Sequence, residues 1–246
     1  MKRMKRMLKT ISNEGSSGKS MIAKLIKETL MNHGVAHSTY LCDKDHIELV
    51  KTYGAEVTMF DIRQDKETLI NALGDAVDYV LVDFPAASID ELVNVFGSMQ
   101  TFIDSFAVFD AEPTFVIPVV SDKSIQSIQR LSNILRGVQG GYQFIFVINE
   151  GLMSNKASIM ESFTNDTAVQ SALNSGIAHT VTISTKFTPN FAELVRTEKL
   201  RSLLTTKLSP MDKVLMIDLL KKSDDQFSKV LGLPPVKVTP PKPVKI

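Results

Sequence analysis

The stretch SNEGSSGKSM, residues 12–21, sets Gly18, Lys19 and Ser20 at the spacing of the pattern G-x-x-x-x-G-K-[ST]. Such a turn lets backbone N–H groups surround a phosphate, and a helix starting at the lysine adds the partial positive charge of its N-terminus. Lys19 would reach the outer phosphates of a nucleotide, and the Ser20 hydroxyl would ligate Mg²⁺. The place of the first glycine is taken by Asn13, with Glu14 after it. Asn13, Glu14, Gly15, Ser16, Ser17, Gly18, Lys19, Ser20 and Met21 are the candidate phosphate-holding residues. The alternative is an N-capping turn in which Ser16 or Ser17 satisfies the amides of a helix start.

Three further stretches carry polar residues at the ends of strand-like runs. In DYVLVDFP, residues 78–85, β-forming residues lead to Asp83, and Pro85 is expected to turn the chain off the sheet. Ligands of open α/β sheets bind at that carboxyl edge, where a carboxylate can hold Mg²⁺ through its water shell. Alternatively Asp83 caps the next helix, for which Ser88 competes. In TYLCDKDHIEL, residues 39–49, Asp43 and Asp45 stand one residue apart at another strand end. They could order metal-bound water or orient an attacking water, or simply form an acidic helix start favoured by the dipole. Asn149 closes the run QFIFVIN. Its amide offers a donor and an acceptor to a base edge, with an ordinary turn asparagine as the alternative.

The elements that must position these residues are legible as a repeat of short apolar runs and amphipathic segments. The runs span 7–11, 38–42, 56–62, 78–84, 113–120, 143–149 and 179–184, and most are β-branched or aromatic as buried parallel strands are. Between them, Met21, Ile22, Leu25, Ile26, Thr29 and Leu30 form a helical stripe stopped by Gly34. Residues 88–105 and 122–138 read as helices too. This order predicts an α/β fold with a mostly parallel twisted sheet of about seven strands flanked by helices; a mixed α+β fold is the alternative. Residues 210–231 predict one or two helices with no strand after them. The tail LGLPPVKVTPPKPVKI, with five prolines and three lysines, predicts an extended or disordered end. The expected organisation is one domain over 1–231 and a basic Pro-rich tail over 232–246.

The 246 residues, 43% hydrophobic and 22% charged, are ordinary globular material. A formal net charge of +1 supplies no overall field toward nucleic acid or membrane, so such contacts would need a local patch. The basic start MKRMKR and the lysines of the tail are the candidates for contact with DNA of the nucleoid or with an anionic membrane. A single cysteine, Cys42, excludes a disulfide framework within the chain. The absence of a long apolar run or a cleavable leader points to a soluble, cytoplasmic protein. His33, His37, His46 and His179 are scattered without metal-ligand spacing, and each reads as a surface or helix-end residue. No acceptor-binding constellation suggests a small-molecule kinase or ligase.

On EGSSGKS, DKD and DYVLVDFP the chain resembles the ParA/MinD ATPases, deviant Walker-type P-loop NTPases related to nitrogenase iron protein, from about Leu8 to Arg201. The resemblance implies ATP and Mg²⁺ as cofactors and weak or partner-stimulated hydrolysis of ATP to ADP. It makes Lys19, Asp45 and Asp43 the catalytic group, with Asp45 as the water-activating residue. Ser20, Asp83 and Asp43 become the metal group, and Asn149 the adenine contact. Within the family the short chain is most similar to StbB-type plasmid stability proteins and TraL-like proteins of conjugative plasmids. That implies a nucleotide switch working with a partner protein from a partition or stability operon, or a nucleotide-binding scaffold with negligible hydrolysis.

Two positions depart from the family pattern. Glu14 stands where a lysine reaches across an ATP-sandwiched homodimer, and His46 where a proline is common. At about 4 Å and an effective dielectric near 20, reversing that charge changes the interaction by several kcal/mol. Unless Glu14 points away, the sandwich dimer is expected to be disfavoured.

Overall fold

The computed structural model describes residues 5–12, 17–42, 47–86, 88–185, 188–205 and 208–236. Seven strands form one sheet: β1 (Lys5–Ser12), β2 (His37–Leu41), β3 (Thr58–Met59), β4 (Tyr79–Ala86), β5 (Ala111–Val119), β6 (Gln143–Asn149) and β7 (Ala178–Ile183). Their order is β3-β2-β4-β1-β5-β6-β7, and every pairing is parallel. Each of the seven apolar runs thus became a strand. β1 lies at the centre, with β4, β2 and β3 on one side of it and β5, β6 and β7 on the other. This reversal of direction leaves a crevice at its carboxyl end.

The helices are α1 (Lys19–Asn32), α2 (Glu48–Tyr53), α3 (Lys66–Gly74), α4 (Ser88–Phe96), α5 (Met99–Ala107), α6 (Asp122–Ile134), α7 (Lys156–Asn165), α8 (Thr167–Asn174), α9 (Pro189–Thr197) and α10 (Pro210–Leu231). They cover the sheet in two layers. On one face Met7, Ile11, Phe115 and Phe146 pack against Leu69, Leu92, Phe102, Ile128 and Val169 from α3, α4, α5, α6 and α8. On the other, Leu8, Leu81, Val116 and Val147 meet Ile22 and Ile26 of α1, Leu49 of α2, Val195 of α9, and Met216 and Phe227 of α10. With both faces buried, the strands need apolar residues at successive positions, which is why they read as continuous runs.

Four sequence expectations change in detail. The run 56–62 pairs only at Thr58–Met59, because β3 is an edge strand with a single neighbour. Residues 88–105 are two helices, broken where Gly97 takes φ 78° and Ser98 caps α5 by accepting from the Thr101 amide. Residues 122–138 end as a helix at Ile134, ahead of left-handed Gly137. Pro85 does not turn the chain off the sheet: β4 runs on to Ala86, past a register shift between Thr10 and Ser12 on β1. A proline is tolerated there because the irregular ladder asks no N–H of it.

Residues 210–231 form one helix, stopped at left-handed Gly232. Its end is tied to the sheet's centre. The Arg6 guanidinium donates to the Val230 carbonyl at 3.3 Å and the Tyr79 hydroxyl to the Leu231 carbonyl at 2.7 Å. These donors satisfy carbonyls that a helix terminus leaves open. Among the described residues no helix is long and apolar enough to cross a membrane. The tail from 237 onward and residues 1–4 lie outside the described residues.

Candidate functional site

β1 delivers the chain to the crevice, and α1 carries it away. The cap of α1 is Gly18, with φ 85° and no side-chain hydrogen bond, and its first turn contains no acidic residue. The cap position itself therefore offers no side chain to the helix-start amides. The positive end of a 14-residue helix therefore faces the crevice without a carboxylate in its first turn. Ser17 and Lys19 flank the glycine and are buried, Lys19 being 9% exposed. Gly18 is tightly flanked: a Cβ there would lie 3.0 Å from the Asn149 Nδ2 and 3.1 Å from the Leu152 Cδ1, so those side chains would have to give way. Together with the positive φ this makes the position a glycine site twice over.

Asp83 lies beside that turn. It pairs in register with Thr10 on β1 and with Leu41 on β2, and is 1% exposed. The Thr10 hydroxyl donates to its Oδ1. It sits within β4 rather than ahead of α4, which removes its alternative reading as a helix cap. Ser88 is no cap either, since its buried hydroxyl finds no partner among the described residues. Thr10 carries no signal in the sequence that would single it out; its role depends on a strand pairing 73 residues apart in the chain.

Asn149 ends β6, fully buried, and neither atom of its amide has a hydrogen-bond partner among the described residues. An ordinary turn asparagine would face water. This one is turned toward Gly18, at the cost of about 1–3 kcal/mol for each buried polar group left unsatisfied. Gly151 follows in the 3-10 turn 150–152, where a Cβ would lie 2.4 Å from the Thr185 carbonyl oxygen. That contact draws the exits of β6 and β7 together. The carboxyl ends of β1, β4, β6 and β7 thus bring Gly18, Lys19, Asp83 and Asn149 to one edge. Leu152, Gly151 and Thr185 join them without having shown any sequence signal beyond the glycine.

Asn13, Glu14, Gly15, Ser16, Asp43, Asp45 and His46 lie outside the described residues, so the D-x-D pair and the altered loop entrance have no placement here. Ser20 and Met21 stand in the first turn of α1 and are partly exposed. Among the described residues no three His, Cys, Asp or Glu side chains form a metal cluster. A separate groove of about 450 Å³ lies between α6 and α8 near Tyr142 and Ile177, at the amino end of β6 and away from these groups.

A parallel sheet with this strand order and a glycine-capped helix at its central strand is an α/β P-loop NTPase-like fold. Solved structures of ParA/MinD-family ATPases share it. A plasmid partition protein of Borrelia burgdorferi bound to AMPPNP matches with TM-score 0.53 and 12% identity, over 93% of this chain and 99% of that one. MinD in the MinC:MinD complex of Aquifex aeolicus matches with TM-score 0.53 and 14% identity, over 97% and 98%. A single-substitution variant of Cyanothece McdA in complex with ATP matches with TM-score 0.51 and 13% identity, over 94% and 98%. At such identities the likeness is one of fold. No family model and no curated protein matches the sequence.

Proposed function

We propose that this chain binds ATP with Mg²⁺ and hydrolyses it slowly, as a ParA/MinD-type nucleotide switch in plasmid partition, stability or conjugation. The observation that carries the reading is the start of α1, an open helix N-terminus at left-handed Gly18 with the buried Lys19 beside it. Solved neighbours bound to AMPPNP or ATP support it. In this reading the loop from Asn13 to Met21 wraps the phosphates and Lys19 neutralises their outer charge. Ser20 and Asp83, the latter held by Thr10, hold Mg²⁺ together with Asp43. The metal, when bound, offsets the charge of the phosphate oxygens. Asp45 orients the water, and the unsatisfied amide of Asn149 gains its partners when the base side of the site fills.

The test is ATP and ADP affinity with and without Mg²⁺, alongside solution mass. Binding should be saturable, and Lys19→Ala should weaken it about 10- to 100-fold, the worth of one charged hydrogen bond. Equal affinity in that variant would overturn the site. Glu14 and His46 favour a second reading, a nucleotide-bound scaffold with negligible turnover that works through a partner protein. Phosphate release measured with partner or DNA present separates the two. Glu14→Lys should promote an ATP-dependent homodimer, and an unchanged mass in light scattering would count against that role. The tail over 232–246 and the MKRMKR start are the proposed contacts to DNA or anionic membrane. DNA retention that stays constant between low and moderate salt would argue against them.

A further inference from the structure

His33 ends α1 and is buried, yet both of its ring nitrogens face oxygen atoms that can only accept. Nδ1 lies 2.6 Å from the Pro234 carbonyl oxygen, and Nε2 lies 3.3 Å from the Asp224 Oδ2. A neutral imidazole carries a single N–H, so it can donate to only one of them and turns a lone pair on the other. Both contacts are satisfied together only by the imidazolium. We propose that His33 is a protonation-controlled clasp that ties the end of α10 and the start of the C-terminal Pro-Lys segment to α1.

The surroundings fit a cation at this position. Asp224 on α10 is the facing carboxylate, and it also accepts from the Asn32 amide at 2.9 Å. Arg201, from the segment before the 3-10 turn 202–205, reaches Asp224 Oδ1 at 3.4 Å and Glu28 of α1 at 3.6 Å. Glu28 in turn accepts from the Tyr53 hydroxyl of α2 at 2.8 Å. Asp224 thus faces the ring directly, and Arg201 links it to Glu28, so a proton on His33 balances the charge of this chain of two carboxylates and one guanidinium. Losing it leaves a lone pair against Asp224 or against the Pro234 carbonyl, and one of the two ties opens. Pro234 lies just past the end of α10, so the ring's charge sets how firmly residues 233–236 are held.

The test is hydrogen exchange of the peptide 226–236 in the full chain at pH 5.5 and 8.5, which bracket the titration of imidazoles, corrected for intrinsic exchange rates. The clasp predicts that protection falls about tenfold or more at the higher pH, the worth of one charge-assisted hydrogen bond. His33→Gln, which carries no titrating ring, should show low protection at both pH values. Asp224→Asn supplies an amide N–H that a neutral ring nitrogen can accept, so its protection should persist at pH 8.5. Wild-type protection that is the same at both pH values would overturn the proposal. So would the wild-type pH response appearing unchanged in His33→Gln or in Asp224→Asn.

Discussion

Lys9 is the least expected residue of the central strand. It is fully buried, and its Nζ has no hydrogen-bond partner among the described residues. The amine lies 3.5, 4.2 and 5.2 Å from the ring centroids of Phe102, Phe106 and Phe115. Burial pushes its pKa well below the ordinary 10.5. In the unfolded chain at pH 7 the amine is charged, so folding must release a proton if the buried form is neutral. At about 1.4 kcal/mol per pH unit over the interval from 7 to 10.5, that release costs up to about 5 kcal/mol. The unfolded state then holds more protons than the native state up to pH 10.5, so stability must rise with pH across that interval. Methionine keeps the volume, removes the proton and suits a site lined by aromatic rings. Lys9→Met should therefore stabilise the protein at pH 7, by at most about 5 kcal/mol, with the gain shrinking toward pH 10.5. The assay is urea unfolding at pH 7, 8.5 and 10. With a slope near 3 kcal/mol/M the midpoint at pH 7 should move up, by at most roughly 1.7 M. The opposite balance is attraction of a charged amine by three rings, each worth about 2 kcal/mol when desolvated. A variant that is less stable than wild type, or whose gain is the same at every pH, would refute the neutral-amine reasoning.

Further outcomes follow from the same physics. Lys24 caps the end of α9 through the Val195 and Arg196 carbonyls, and burial lowers its pKa to about 8. Its unfolded state binds the extra proton between pH 8 and 10.5, so its contribution to stability should climb across that window, and unfolding of Lys24→Met should lack that slope. Asn149→Leu should raise the melting stability of the nucleotide-free protein by about 1–3 kcal/mol, by removing an unsatisfied buried amide, while weakening ATP binding in titration calorimetry. Gly18→Ala should lower stability by about 1–2 kcal/mol from backbone strain alone and abolish ATP binding. Thr10→Val, read by Mg²⁺ dependence of ATP affinity, should flatten that dependence, because Asp83 loses the hydroxyl that fixes it.

The sheet was legible because a strand buried on both faces must be apolar at nearly every position, and that pattern survives without any partner being known. Edges and breaks were less so. β3 shrank to a residue pair because its length depends on having a neighbour, and the break at Gly97 depends on a φ that a helical stripe does not reveal. Asp83 and Asn149 were visible as polar residues at strand ends, but their burial was not. Thr10 and Lys9 escaped altogether, since one acts through a cross-strand neighbour and the other through rings gathered from α5 and β5. The D-x-D pair and Glu14 remain expectations of sequence.

The ties from Arg6 and Tyr79 to the last turn of α10 bear on how the molecule comes into being. The strand made first meets the helix made more than two hundred residues later, a separation of 224 positions for the Arg6–Val230 bond. While the ribosome is still elongating, Leu8 and the outer side of α1 await Met216, Leu219 and Phe227, leaving an oily flank open to water or to chaperones. Completion of that layer therefore waits until residues 210–231 have been made, and truncation before residue 210 should yield a sticky, half-covered sheet rather than a smaller version of the same protein.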